Sequence, residues 1–285
     1  MSKALFALLF TPLFFAGCST NNVSIDNSLQ KYFDSADVKG CFGLFDNGQG
    51  HFTVYNLPRF KDSAYQPAAT FDIVQSLIAF QTGVAKDDTS AMLGRPVVYF
   101  EDATSPSHAI KDSLLNLVKT PTLSLRTAFQ SNSRLLSMSL TDEIGMDTLK
   151  KWVDTLHYGN RDLGKDIDLL WMNNPLKITA DEQLGLIKKL YFDQLPFFNR
   201  PQKLVRGMML EENNSNYRLL YKTGQGIKED KHAIGWVLGW VEENKHPYFF
   251  VVNLESEDQS KDLGAIGLQI VKKALTPMGF FEGKK

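Results

Sequence analysis

With 285 residues, 43% of them hydrophobic and 12% aromatic, the chain can bury a full globular core and is expected to form one domain carrying an insertion. A formal net charge of −1, from 31 basic and 32 acidic residues, leaves no global field to draw it to nucleic acid or to an anionic surface. A polyanionic partner is therefore disfavoured.

The first eighteen residues, MSKALFALLFTPLFFAGC, place one positive residue, Lys3, before an apolar run too short to span a bilayer, then small residues before Cys18. This resembles a bacterial lipoprotein signal, in which the cysteine is acylated and becomes the new N-terminus; an ordinary cleaved signal with an incidental cysteine is the alternative. The expected location is a bacterial envelope, lipid-anchored on the periplasmic side, with the outer membrane favoured over the inner. The only other cysteine is Cys41, so lipidation of Cys18 excludes an intramolecular disulfide. In KGCFGLF it alternates with apolar residues and reads as a small buried hydrophobe.

Residues 19–27 are polar and read as a tether, followed by a short amphipathic helix through Leu29, Tyr32 and Phe33. Two extended runs, CFGLFD and HFTVYN, flank NGQG, a strong hairpin signal. Helical spacing predicts a helix over about 70–82, ended by Gly83 in the place of a left-handed cap. Residues from 84 to about 214 mostly keep helical spacing, with Thr-x-x-Glu or Asp-type starts in TDEIGMDTLKKWVDTL and TADEQLGLIKKLYFDQL, and read as an all-helical insertion lobe. Three extended runs follow, NYRLLYKTG, HAIGWVLGWVEE and HPYFFVVNLES, then a last helix over about 263–275 that stops before Pro277, and a tail over 277–285. The expected fold class is α+β: one antiparallel sheet flanked by helices.

Lys222-Thr223-Gly224 ends a predicted strand. Ammonium, hydroxyl and a backbone without a side chain together suit an anion. The five histidines show no metal-ligand spacing, so neither a metal nor any other cofactor is expected.

Several stretches together resemble the class D β-lactamases, the penicillin-recognising serine enzymes that pair a Lys-Thr-Gly element with an upstream Ser-x-x-Lys helix. They are VKGCFGLFD with VYN, YQPAATFDIVQSLIAFQTG, HYGNRDL, LLWMNNPLKITADEQLGLIKKLY, and YKTGQG with IGWVLGWVE, in matching order from about residue 28 to 276. The resemblance implies a β-lactamase or penicillin-binding transpeptidase-like fold with its cleft between sheet and helical lobe. It also implies a nucleophilic serine at the helix start and, one turn on, a carbamylated lysine as general base. The family's PASTFK lies over Pro67-Ala68-Ala69-Thr70-Phe71-Asp72, so Ala69 stands at the nucleophile and Asp72 at the base. The family's Ser-x-Val element falls on Asn132-Ser133-Arg134, with Ser131 or Ser133 one register step away. Its carboxylate-binding arginine falls near Gly267, and no arginine follows Arg218. Lys222, Thr223 and Gly224 are kept, as are His157-Tyr158-Gly159-Asn160 and Trp171, which in the family line or support the lysine pocket. Trp171, Trp236, Trp240 and His157 read equally well as structural residues.

Acyl-enzyme hydrolysis needs a nucleophile with a base in reach, and Ala69 offers no heteroatom. Thr70 is the nearest hydroxyl but points about 100° away on a helix. Asp72 keeps the negative sign of a carbamate, and an ion pair between Asp72 and Lys222 within about 6 Å is expected. The expectation is a catalytically inactive member of the family, serving as a binding or scaffold module for a β-lactam, a peptidoglycan peptide or an envelope protein. The alternative is a hydrolase with rearranged chemistry, using Ser131, Ser133, Thr70, or Asp72 with a water. A sensor role is the third reading, although the sensors of this fold need the missing serine.

Overall fold

The computed structural model describes residues 22–92, 123–165 and 175–285. Cys18, Trp171 and the leader lie outside them. Part of the stretch expected as a tether belongs to the fold: Val23–Ile25 forms β1, and Asp26 accepts from Ser28 N to cap a 3-10 turn. Three residues are too few to show alternation in the sequence; what makes them a strand is a neighbour to pair with. Helix α1 (Gln30–Asp34) buries Phe33. The predicted hairpin follows as β2 (Lys39–Asp46) and β3 (His51–Tyr55), its turn tied by Asp46 Oδ1, which accepts from Gly48 and Gln49 N.

Helix α2 (Leu57–Asp62) and the short β4 (Ala64–Tyr65) lead to a 3-10 turn at Ala68–Phe71 and then α3 (Asp72–Thr82), closed by Gly83 at φ +81. Every residue of α3 from Asp72 to Phe80 is buried, so this is a central helix rather than a surface one. The lobe supplies β5 (Ala91–Met92), β6 (Leu123–Ser124), α4 (Leu125–Gln130), α5 (Arg134–Ile144) and α6 (Met146–Leu156). Next come β7 (Ile178–Thr179), which pairs with β4, and α7 (Ala180–Tyr191). Helix α7 opens on a full capping box between Thr179 and Glu182. Helix α8 (Asn199–Met208) and β8 (Leu210–Asn213) end the insertion, so the segment expected to be all helical returns to the sheet at its last four residues. Three long strands, β9 (Arg218–Ile227), β10 (Ala233–Glu243) and β11 (His246–Ser256), precede α9 (Leu263–Leu275).

The seven-stranded sheet runs β1-β3-β2-β11-β10-β9-β8. All its pairs are antiparallel except β1 with β3, so the sheet is mixed where a purely antiparallel one was expected. One face packs Val237, Leu254 and Phe250 under α9 and α1; the other packs Leu220, Trp236, Leu238 and Phe249 under α3, α7 and the lobe. The tail is docked rather than free: Phe280 is buried against Tyr248, and Phe281, Lys284 and Lys285 donate backbone N–H groups to Glu243. A buried carboxylate needs such donors, and its position 38 residues upstream hides that need in the sequence.

Candidate functional site

The turn before α3 is tightly wound. Ala68 sits in left-handed backbone at φ +48, a conformation that costs an L-residue about 1–2 kcal/mol. Ala69 follows at the half-buried mouth, presenting a methyl group. Thr70 is fully buried and committed: its hydroxyl donates to Pro67 O at 2.6 Å and accepts from Gln183 Nε2 at 2.8 Å. Its hydroxyl thus serves as a staple between the turn and α7. Strand β9 passes so close that a Cβ on Gly224 would lie 2.8 Å from Thr70 N and 3.1 Å from Ala69 N. Only glycine fits there, which brings the Lys-Thr-Gly strand against the helix start.

Asp72 and Lys222 lie 3.1 Å apart, with side chains 5% and 1% exposed. The expected pair is therefore formed, and it is almost wholly removed from water. The ammonium also donates to Phe129 O at 2.6 Å and to Asn132 Oδ1, with the Phe129 ring centred 4.5 Å away. An ammonium has three N–H groups, and each faces an oxygen of the protein. Asp72 Oδ1 accepts from Ser137 Oγ at 2.6 Å, while Oδ2 faces Lys222 with no directed hydrogen bond of its own. Burial pushes the Asp72 carboxyl up and the Lys222 ammonium down, and each partner's opposite charge pulls the other part of the way back.

Asn132 is the third member. It holds left-handed backbone at φ +55, which asparagine tolerates better than most residues, and its Nδ2 donates to Thr223 Oγ1 at 2.9 Å. It so clasps Lys222 and Thr223 together from the position where the family resemblance places a serine. Ser131 is exposed and donates to Ala128 O at 3.4 Å, and Ser133 heads α5; neither hydrogen-bonds to Asp72, Lys222 or Thr223.

The position aligned with the family's arginine lies against the sheet. A Cβ on Gly267 would meet the Val237 side chain at 2.5 Å, so that residue faces the sheet and not the cleft. The helix residue beside Thr223 is Gly264, three places earlier and on the same turn. His157 is exposed at the left-handed end of α6, with Nδ1 3.3 Å from Thr155 O. Tyr158 is buried with its ring 5.5 Å from Phe71. Asn160 ties its own loop, accepting from Lys177 N and donating to Pro175 O. Trp236 is buried and donates to Gln66 O at 2.8 Å.

Sequence reading missed Ser137, Gln75 and Thr141. Ser133, Ser137 and Thr141 recur every four residues along α5, which put a hydroxyl stripe on one face. Ser137 meets Asp72 on α3, and Gln75, one turn further along α3, donates to Thr141 Oγ1 and to Ser137 O. The periodicity was a usable signal for the stripe; its partner helix was not. Asp230, His232 and Glu255 place one ligand-type atom each within 4.8 Å, the one such grouping among the described residues. Glu255 there already holds Lys228 at 2.6 Å and Arg59 at 2.9 Å, cations that oppose a metal ion.

The model of the penicillin-binding-protein transpeptidase domain matches residues 35–276. Beta-lactamase OXA-48 of Klebsiella pneumoniae is 32% identical, covering 81% of this chain and 80% of its own. Regulatory protein BlaR1 of Bacillus licheniformis is 28% identical, covering 86% of this chain and 39% of its own. The class D β-lactamase FUS-1 (OXA-85) of Fusobacterium nucleatum subsp. polymorphum shares the fold with a TM-score of 0.75 at 26% identity, covering 90% of this chain and all of its own. Matched over residues 35–276 by that family model and sharing the fold of these relatives, the chain belongs to the class D β-lactamase and penicillin-binding transpeptidase family.

Proposed function

We propose that this protein is a catalytically inactive member of that family, lipid-anchored in a bacterial envelope through Cys18. It serves as a non-covalent binding or scaffold module for a β-lactam, a peptidoglycan peptide or an envelope protein. The observation that carries this reading is the state of the two polar centres. Ala69 offers no nucleophile at the mouth, and Lys222 is buried, ion-paired with Asp72 and hydrogen-bonded to Asn132 and the Phe129 carbonyl. A ligand carboxylate arriving at Lys222 would have to displace an internal partner, so affinity at that lysine is weakened along with chemistry. A second reading, hydrolysis by a rearranged centre, rests on Ser137, whose hydroxyl donates to the Asp72 carboxylate at 2.6 Å; its burial opposes substrate access.

The test sets the unmodified protein beside an A69S/D72K double variant, each given a chromogenic cephalosporin and a fluorescent penicillin. The expected result is neither turnover nor adduct in the unmodified protein. Label confined to the double variant supports a cleft still arranged for a lactam, and label in neither favours a protein partner. Turnover or a stable adduct in the unmodified protein overturns the inactive reading.

A further inference from the structure

The fold starts close to Cys18. Residues 19–21 alone separate that cysteine from Asn22, and four Cα steps reach at most about 14 Å. From Asn22 onward the chain is fixed to β3. Asn22 O accepts from Phe52 N at 2.7 Å, Asn22 Nδ2 donates to Gly50 O at 3.2 Å, and Asp26 N donates to Val54 O at 2.9 Å. His51 Nε2 lies 2.9 Å from Ser24 Oγ. Strand β1 is the outermost of the seven on its side, so whatever holds Cys18 also holds this edge of the sheet.

The two edges of the sheet differ in chemistry. At the far edge β8 carries Glu211 and Glu212, the kind of charge that keeps an edge strand in water. Strand β1 carries no charge, and its Ile25 is 57% exposed. From Asn22 to Ser28 the only ionisable side chain is Asp26, which accepts from Ser28 N and Oγ. The adjoining turn from Asn47 to Gly50 has none. An exposed isoleucine among uncharged amides and hydroxyls suits the interfacial zone of a bilayer: the apolar side chain can enter it, and few ionised groups have to leave water.

We propose that the β1–β3 edge of the sheet rests on the membrane surface, with Ile25 in the headgroup layer, and that the Lys-Thr-Gly strand is thereby held away from it. This rests on the reading of Cys18 as the acylated anchor. Strand β9 is the sixth from this edge, and spacings of about 4.8 Å place it about 24 Å out along the sheet. A link of at most about 14 Å keeps β1, rather than β9, nearest the bilayer. Because the edge is almost uncharged, the contact needs no anionic lipid.

The full chain, produced in a bacterial host that acylates lipoproteins, is reconstituted into phosphatidylcholine vesicles containing a lipid with a nitroxide on its headgroup. A bimane fluorophore is attached to the introduced cysteine of Q49C or N213C, exposed positions toward opposite edges of the sheet. Cys41 is buried, which leaves the introduced thiol as the site of labelling. The expected loss of fluorescence at Gln49 is at least about twice that at Asn213, as the strand spacing between the two edges requires. Added phosphatidylglycerol should leave it unchanged, and I25N should bring the Gln49 value toward that at Asn213. Equal loss at the two positions, greater loss at Asn213, a need for phosphatidylglycerol, or no effect of I25N would overturn the proposal. Weak loss at Gln49 together with a cross-linked dimer would assign the edge to a second copy of the chain and overturn it as well. The mass of the purified chain separates the two kinds of failure. An unacylated Cys18 overturns the anchored reading and this proposal with it, whereas an acylated chain with equal loss at both positions overturns the orientation alone.

Discussion

Replacing Asp72 by asparagine isolates the charge at the heart of the site, because the amide matches the carboxyl in shape and still accepts from Ser137. The variant leaves Lys222, 1% exposed, without its counter-ion. Breaking a buried pair by removing one partner costs about 3–5 kcal/mol. Two facts set the value within that range. Lys222 keeps its bonds to Phe129 O and Asn132 Oδ1, which lowers the cost. The ammonium also has the option of losing its proton, and doing so at pH 7 from an ordinary value near 10.4 costs no more than about 4.6 kcal/mol. We therefore expect a loss of about 3 kcal/mol, measured by urea unfolding at pH 7. The sign of its pH dependence follows. Burial already lowers the Lys222 value, and removing Asp72 lowers it further, so the unfolded chain binds more protons than the folded one. The deficit should shrink as pH rises from 7 towards 10. The double variant D72N/K222M, with no charge left buried, should recover much of the loss of K222M alone. A deficit under about 1 kcal/mol at pH 7, or one that is the same at pH 9.5, would show that the pair is not held as a buried charge pair.

Three other outcomes follow from the same physics. Burial pushes the Cys41 thiol up to about 12, so a thiol reagent should leave it unmodified in the folded protein and react at the rate of unfolding. Burial also acts to raise the Glu255 carboxyl, but the hydrogen bonds from Lys228, His232 and Arg59 outweigh it and hold the group at about 2, below the ordinary 4.5. That stabilisation is complete above pH 4.5 and is lost as pH falls through about 2. It is worth on the order of 1 kcal/mol once solvent screening is allowed for, and E255Q should unfold with a flatter acid profile over that window. Removing the capping hydroxyl of α7 in T179A should lower stability by about 1 kcal/mol in thermal unfolding, because Glu182 N loses its acceptor at 3.2 Å.

Much of the site was legible because its parts are local. The Lys-Thr-Gly tripeptide, the turn before α3 and the Gly83 cap are contiguous words whose spacing carries their geometry. That Ala69 offers no hydroxyl needed no fold at all, since alanine has none wherever it stands. The 11-residue strands β10 and β11 were also plain from their unbroken apolar runs, which two buried faces require. Gly267 was harder: it shares a helical turn with Gly264, and a residue-by-residue alignment does not say which of the two faces the cleft.

Non-local pairings belonged to the tertiary structure. The sequence alone determined which chemical groups are present, the period of each segment and therefore its element type. Whether Val23–Ile25 is a strand depended on β3 lying alongside, and the parallel direction of that pair depended on how the chain crosses. Ser137 reaches Asp72 across 65 residues, and Asn132 reaches Lys222 across 90. A hydroxyl or an amide is only a donor or acceptor in the sequence. Which charge it meets, and whether water is there to compete, is decided when the helices pack and a common lysine is closed into the core beside Asp72.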